Sequence, residues 1–232
     1  MFIIALLLGA ILVPLATQVE QRQVSETQKT MDEIKEALLG FAVANGYLPC
    51  PDATSVVAPM LPVDVNDGRE DVNTITGSCR SINGTIASGS LPWATLGMGN
   101  QDVWGNRFRY TVLDAFAQRP PPATATLFTI STTATTLRVC ETAACASILS
   151  STAVAVVVSH GSNGSGAMNA STNTQNLPLP PVGTDERKNT NGDADVVSHV
   201  KSTVAGNEFD DMVTSLSRFT LINRMVAAGK LP

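Results

Sequence analysis

The chain has 232 residues and a formal net charge of −5, with 44% hydrophobic but only 15% charged and 5% aromatic residues. That charged share is well below the roughly 25% of ordinary globular chains; Thr, Ser, Ala, Asn and Gly fill the gap, as is common in β-rich domains outside the cytoplasm. No basic stripe is present, so nucleic acid is excluded as an expected partner.

Residues 2–16 (FIIALLLGAILVPLA) carry no charge and a single proline, Pro14. From Val19 the pattern changes: Val24, Thr27, Met31, Ile34, Leu38, Phe41 and Asn45 recur every three or four residues among Glu, Gln, Arg and Lys. That spacing places one apolar stripe on a helix. No Gly/Pro cluster separates the two parts, so a single helix is expected over 2–45, about 66 Å long at ~1.5 Å per residue. Residues 1–17 are its membrane or filament-core part, 18–46 its amphipathic part, and 47–232 a globular head. Pro14 removes a helix hydrogen bond and is expected to kink or locally melt the rod. The apolar run falls short of the ~20 residues of a spanning helix. A cleaved secretory signal would need a preceding Lys or Arg and a small-residue cleavage pattern. A buried core helix leaves the amphipathic continuation unexplained. An anchor whose first residues are missing fits best.

The opening stretch, MFIIALLLGAILVPLATQVEQRQVSETQKTMDEIKEALLGFAVANGYLPCP, resembles the N-terminal helix of type IV pilin-like proteins and type II secretion pseudopilins. In that family a leader ending in Gly precedes Phe, a few apolar residues, a glutamate, and an apolar stretch with a proline well inside it. Pro14 matches that proline, which implies a sequence that starts within the mature helix and lacks the leader, processing site and glutamate. The resemblance further implies an α+β, pilin-like fold, with the long helix packed on an antiparallel sheet of about four strands with long loops. It implies a structural, non-enzymatic subunit of a pilus or pseudopilus. Its partners would be other such subunits, joined through the helix, and the bacterial inner membrane. The head would be periplasmic before assembly, and the filament periplasmic or extracellular after it.

Asn45-Gly46 is expected to end the helix, and the two prolines of Tyr47-Leu48-Pro49-Cys50-Pro51 prevent its continuation. Residues 52–89 are rich in turn formers and read as a connecting loop. The four cysteines, Cys50, Cys79, Cys140 and Cys145, form no CxxC pair, and only His160 and His199 could help them hold zinc. Two disulfides are the better reading, four buried thiols the alternative. Of the three connectivities, the local one is preferred: Cys50–Cys79 stapling the 52–89 loop, and Cys140–Cys145 closing around ETAA.

Asp102-Val103-Trp104-Gly105-Asn106-Arg107-Phe108-Arg109-Tyr110 resembles the D-x-W-G-N-x-aromatic-x-Y element that opens the first strand of the pseudopilin sheet. Gly105-Asn106 suits a turn, and Phe108, Tyr110 and Val112 alternate as in a strand. The element reads as a Trp-anchored turn feeding a hairpin, with carbohydrate binding by Trp93 and Trp104 as the alternative. Further strands are expected at 126–131, 136–140 and 153–159, the last being a continuous apolar run suited to a central position. Arg119-Pro120-Pro121-Pro122 must lie outside the sheet. Residues 160–194 read as loop throughout, and 209–228 as a final helix ended by Ala228-Gly229.

No nucleophile elbow surrounds Ser162 or Ser165, and the glycines at 161, 164 and 166 lack the lysine of a phosphate loop; an enzyme is not expected. Calcium is the one cofactor with a sequence signal. Asn191, Asp193 and Asp195 alternate in a Gly-containing loop, and Asp210-Asp211 follow, offering the oxygen ligands that hard cations prefer. Major pseudopilins carry a similar acidic, glycine-rich calcium loop. Otherwise Asp210-Asp211 would cap the last helix and Asp193 and Asp195 would be solvated. The expected function is a structural filament subunit. The alternative is a membrane-anchored periplasmic binding module that never polymerises and holds a sugar or peptide in its long loops.

Overall fold

The computed structural model describes residues 2–53, 66–120 and 127–231, with backbone alone at 2–16 and at 82. Its first element, α1 (Phe2–Asn45), is a single helix. The helical backbone runs through Pro14, so the local melting expected there is not found. Thr27, Met31, Ile34 and Leu38 are buried, joined by Leu39 and Ala42, whereas Val24 is 38% exposed. The stripe is therefore buried against the head from Thr27 downward. Each buried aliphatic side chain there contributes about 1.5–3 kcal/mol. The helix ends where Gly46 N donates to Ala42 O (2.7 Å) and Asn45 Nδ2 donates to Phe41 O (2.9 Å).

After α1 come β1 (Ile82–Asn83), β2 (Ile86–Ser90), a short α2 (Trp93–Leu96), β3 (Arg109–Leu113) and α3 (Asp114–Ala117). β4 (Arg138–Cys140), β5 (Ile148–Ser150) and β6 (Ala153–Ser159) follow. The C-terminal part adds α4 (Asp185–Thr190), β7 (Asp195–Val197), β8 (Ser202–Val204), β9 (Asn207–Phe209), β10 (Met212–Ser217) and α5 (Arg218–Ala227). The principal sheet is antiparallel with strand order β1-β2-β3-β6-β10. All seven residues of β6 are buried, which is why its sequence is an unbroken run of strand formers instead of an alternation. α1 lies against β10, α5 and α2, so Met31, Ile34 and Leu38 share one core with Tyr110, Val112 and Leu216. A second sheet, β5-β4-β7, joins β4 to β7 in parallel, and β8-β9 is a separate hairpin. The class is α+β.

Several expectations are corrected. The main sheet has five strands among the described residues, not about four. β3 is its middle strand, not its first, because the stretch read as loop contains β1 and β2. The β2 sequence Ile86-Ala87-Ser88-Gly89-Ser90 is rich in small residues that read as turn formers, but at Gly89 crowding requires one: a Cβ there would lie 2.3 Å from Asp52 O. There Asp52 N and O each bond Ser90 across an isolated bridge. Residues 127–131 form no strand, since Phe128 instead packs its ring on Phe116 (5.0 Å) and the backbone turns at Thr129–Thr132; residue 126 lies outside the described residues, as do 54–65. Of 136–140, only Arg138–Cys140 is strand, and in the second sheet. The 160–194 stretch holds α4. The expected 209–228 helix is instead the end of β9 at Phe209, then β10, which closes the free edge of β6, and α5, whose N-cap Ser217 accepts from Thr220 N (3.1 Å).

Candidate functional site

The turn entering β3 is fixed by one carboxylate. Asp102 Oδ1 accepts from Trp104 N (3.0 Å) and Asn106 N (2.9 Å), and Asp102 Oδ2 accepts from Ser159 Oγ (2.7 Å) at the end of β6. Burial pushes the Asp102 carboxyl upward, against these three donors. Gly105 takes φ +85° in this turn, a left-handed conformation that favours glycine. Asn106 Oδ1 accepts from Asn176 Nδ2 (2.9 Å), drawing the 160–194 loop onto the turn. Tyr110 is fully buried and donates its hydroxyl to Pro49 O (3.1 Å). Trp93 carries the Arg107 guanidinium over its ring at 5.7 Å. Trp104 is half-buried and lines a groove of about 170 Å³ between α1 and the head, with Glu20, Val24, His199, Lys201 and Asp210; Lys201 Nζ closes this groove by pairing with Glu20.

Both local disulfides are present: Cys50–Cys79, spanning 29 residues with Cα atoms 5.2 Å apart, and Cys140–Cys145, spanning 5. Asp195 lies beside the second pair, but disulfide sulfurs are not thiolate ligands.

The acidic residues divide into two sets. Asp193 Oδ2 is taken by Lys188 Nζ (3.0 Å) and Asn191 Nδ2 (2.7 Å). Asp195 forms a two-pronged pair with Arg138, Nε to Oδ1 at 2.7 Å and Nη2 to Oδ2 at 2.9 Å. Lys188 and Arg138 thus neutralise this set, and Asn191, Asp193 and Asp195 do not join Asp210 and Asp211 as the alternating pattern led us to expect. Nor do Asp210 and Asp211 cap the last helix, which begins at Arg218 behind Ser217. They meet Glu186 of α4 instead, with one carboxylate oxygen of each within 4.8 Å of the others.

Around this second cluster the donors are neutral. Asp210 Oδ2 accepts from Ser162 Oγ (2.6 Å) and Asn163 N (3.0 Å); Glu186 Oε1 accepts from Asn163 Nδ2 (2.6 Å) and Asp210 N (3.3 Å); Asp211 Oδ2 accepts from Asn189 Nδ2 (2.7 Å). His160 Nδ1 approaches Asp211 Oδ1 at 3.4 Å, both side chains being buried. Asp210 Oδ1 and Asp211 Oδ1 are buried and have no hydrogen-bond partner among the described residues. Burial pushes Glu186 up to about 7, and the neighbouring Asp211 and Asp210 add to the rise. Three carboxylates with acceptor oxygens left over suit a hard, oxygen-preferring cation such as calcium and not a thiolate- or imidazole-seeking metal. None of the hydrogen bonds on these oxygens comes from a charged donor, and Glu186, Asp210 and Asp211 would hold a bound cation.

Sequence reasoning missed Glu186 and His160. The signal for Glu186 was the Thr184-Asp185-Glu186 start of α4, where Thr184 Oγ1 accepts from Arg187 N (3.3 Å) and acidic residues fill the first turn. No local signal links it to Asp210, because the meeting is made by the fold. Among the residues whose side chains are described, no helix is long and apolar enough to cross a membrane.

No protein-family model matches the chain, and no match is found among curated proteins or solved structures.

Proposed function

We propose that this chain is a structural subunit of a bacterial filament of the type IV pilus or type II secretion pseudopilus kind. The uncharged stretch 2–16 would lie first in the inner membrane and then among neighbouring helices in the filament core. The observation that carries this reading is the division of α1. Its stripe is buried against the head from Thr27 to Ala42, while Thr17, Gln18 and Val19 are exposed, and the same helix continues back to Phe2. A helix serving only its own head has no use for that extension. An arrangement with the sheet across the lower helix, the Asp102–Tyr110 turn and a stapled loop after the helix supports the pilin-like form of the α+β fold. A cation at Glu186, Asp210 and Asp211 would tie the 160–163 turn to the start of β10, stiffening the head surface offered to neighbours.

Fractionation of the source cell's envelope tests the reading. The wild-type chain is expected in the membrane fraction, released by detergent and not by alkaline carbonate. Leu8→Lys is expected to shift it to the aqueous fraction without unfolding the head. Wild-type protein found wholly in the aqueous fraction would overturn the reading.

A further inference from the structure

Phe108, Tyr110 and Val112 point into the core shared with α1, so Arg107, Arg109 and Thr111 project from the other face of the same extended segment. The polar 160–194 stretch, which carries α4, covers that face, and between them lies a cavity of about 60 Å³ lined by Ser90, Arg107, Arg109, His160, Met168 and Gln175, among others. Arg107 is only 4% exposed. Its Nη2 donates to Asn173 Oδ1 at 2.6 Å, while Nε and Nη1 are buried without a hydrogen-bond partner among the described residues. Unsatisfied donors of this kind are costly, and more so on a charged group.

The nearby carboxylates are committed elsewhere. Asp52, whose charge acts on Arg107, accepts from Asn66 N and Gly68 N (both 2.8 Å), and burial pushes it up to about 7. Asp193, which acts on Arg109, is held by Lys188 and Asn191. His160 faces Asp211. Among the described residues neither guanidinium makes an ion pair. Burial lowers both guanidinium groups, Arg109 to about 10, and a guanidinium stays protonated at neutral pH. A water needs roughly 10–15 Å³ of such space, so the cavity holds a few water-sized groups, the size of a tetrahedral oxyanion.

We propose that Arg107 and Arg109 form a binding site for a small oxyanion of phosphate or sulfate size, seated between β3 and the 160–194 loop. Guanidinium donors match such oxygens in pairs, and the ion would lock the polar loop onto the sheet. This site borders the acidic cluster through His160 but does not depend on a cation there or on the filament reading, and it stands if either fails.

The test is calorimetry of the full chain in detergent with inorganic phosphate and sulfate, at constant ionic strength set by chloride. Saturable binding is expected, weakened about tenfold or more in Arg107→Gln and less in Arg107→Lys. Phosphate binding with none of acetate would mark a tetrahedral preference, and equal binding of both would mark a general oxyanion site. Because Arg107→Gln could disturb the loop, the Arg107 Nε–H resonance of the wild-type protein is followed in the same titration and is expected to shift with the same midpoint. An unmoved resonance, or heats equal to those of chloride alone, would overturn the proposal.

Discussion

Tyr110, in the middle strand of the main sheet, donates its hydroxyl to the carbonyl of Pro49 at 3.1 Å, tying the sheet to the segment that leaves α1. The bond is fully buried, and it explains why an aromatic with a polar tip, not a phenylalanine, occupies this core position. Tyr110→Phe is expected to lower stability by about 1–2 kcal/mol, since it leaves a buried carbonyl unpaired. Urea denaturation should show a lower midpoint with an unchanged slope; an unchanged midpoint would mean that the bond contributes nothing.

The helix stripe should be energetically uneven. Ile34→Ala and Leu38→Ala remove fully buried side chains and are expected to cost about 2–5 kcal/mol each. Val24→Ala, at a 38% exposed position, should cost less than about 0.5 kcal/mol in the monomeric head. Equal effects at all three sites would contradict the docking of α1 from Thr27 downward.

The two disulfides should differ in weight. Loop-closure entropy gives about 3.6 kcal/mol for the 29-residue Cys50–Cys79 span and about 2 kcal/mol for the 5-residue Cys140–Cys145 span. Cys50→Ser/Cys79→Ser is therefore expected to lower the melting temperature more than Cys140→Ser/Cys145→Ser. The reverse order would point to native-state contacts as the dominant factor.

Calcium and pH should act on the same residue. Glu186 is raised from its ordinary value to about 7, so the folded state holds its proton more tightly than the unfolded state does. Its contribution to stability is full below about pH 4.5 and is lost as pH rises through 7. A cation favours the ionised form, so calcium affinity should rise between pH 5 and 8 with release of a proton, and calcium should restore the stability lost at higher pH. Asp211→Asn should abolish the calcium effect and lower the Glu186 rise only in part, because burial is its larger cause. Titration of chelator-stripped protein that shows no calcium heat at any pH in this range would remove the cation from the site.

How much of this was legible depends on the range of the interaction that fixes each residue. The periodicity of the α1 stripe and the unbroken apolar run Val154–Val158 each lie within one element, and the expected bounds, 2–45 and 153–159, match those found. β2 and β10 were not: Ala87, Ser88 and Gly89 have little strand propensity, and Val213 and Leu216 suit a helix as well as a strand. What decides them is the edge they close, Ala87 opposite Val112 and Val213 opposite Val158. Proximity along the chain was enough for the disulfides. It misled for the acidic residues, where Asp193 and Asp195 found Lys188 and Arg138 and left Asp210 and Asp211 to Glu186.

Whether copies of this chain pack through their apolar helices is most directly tested by a photo-crosslinking residue at position 8 in the natural envelope. The filament reading predicts a ladder of homo-oligomers that disappears with Leu8→Lys in the partner copies. Crosslinks only to lipid, or only within one chain to its own head, would contradict it.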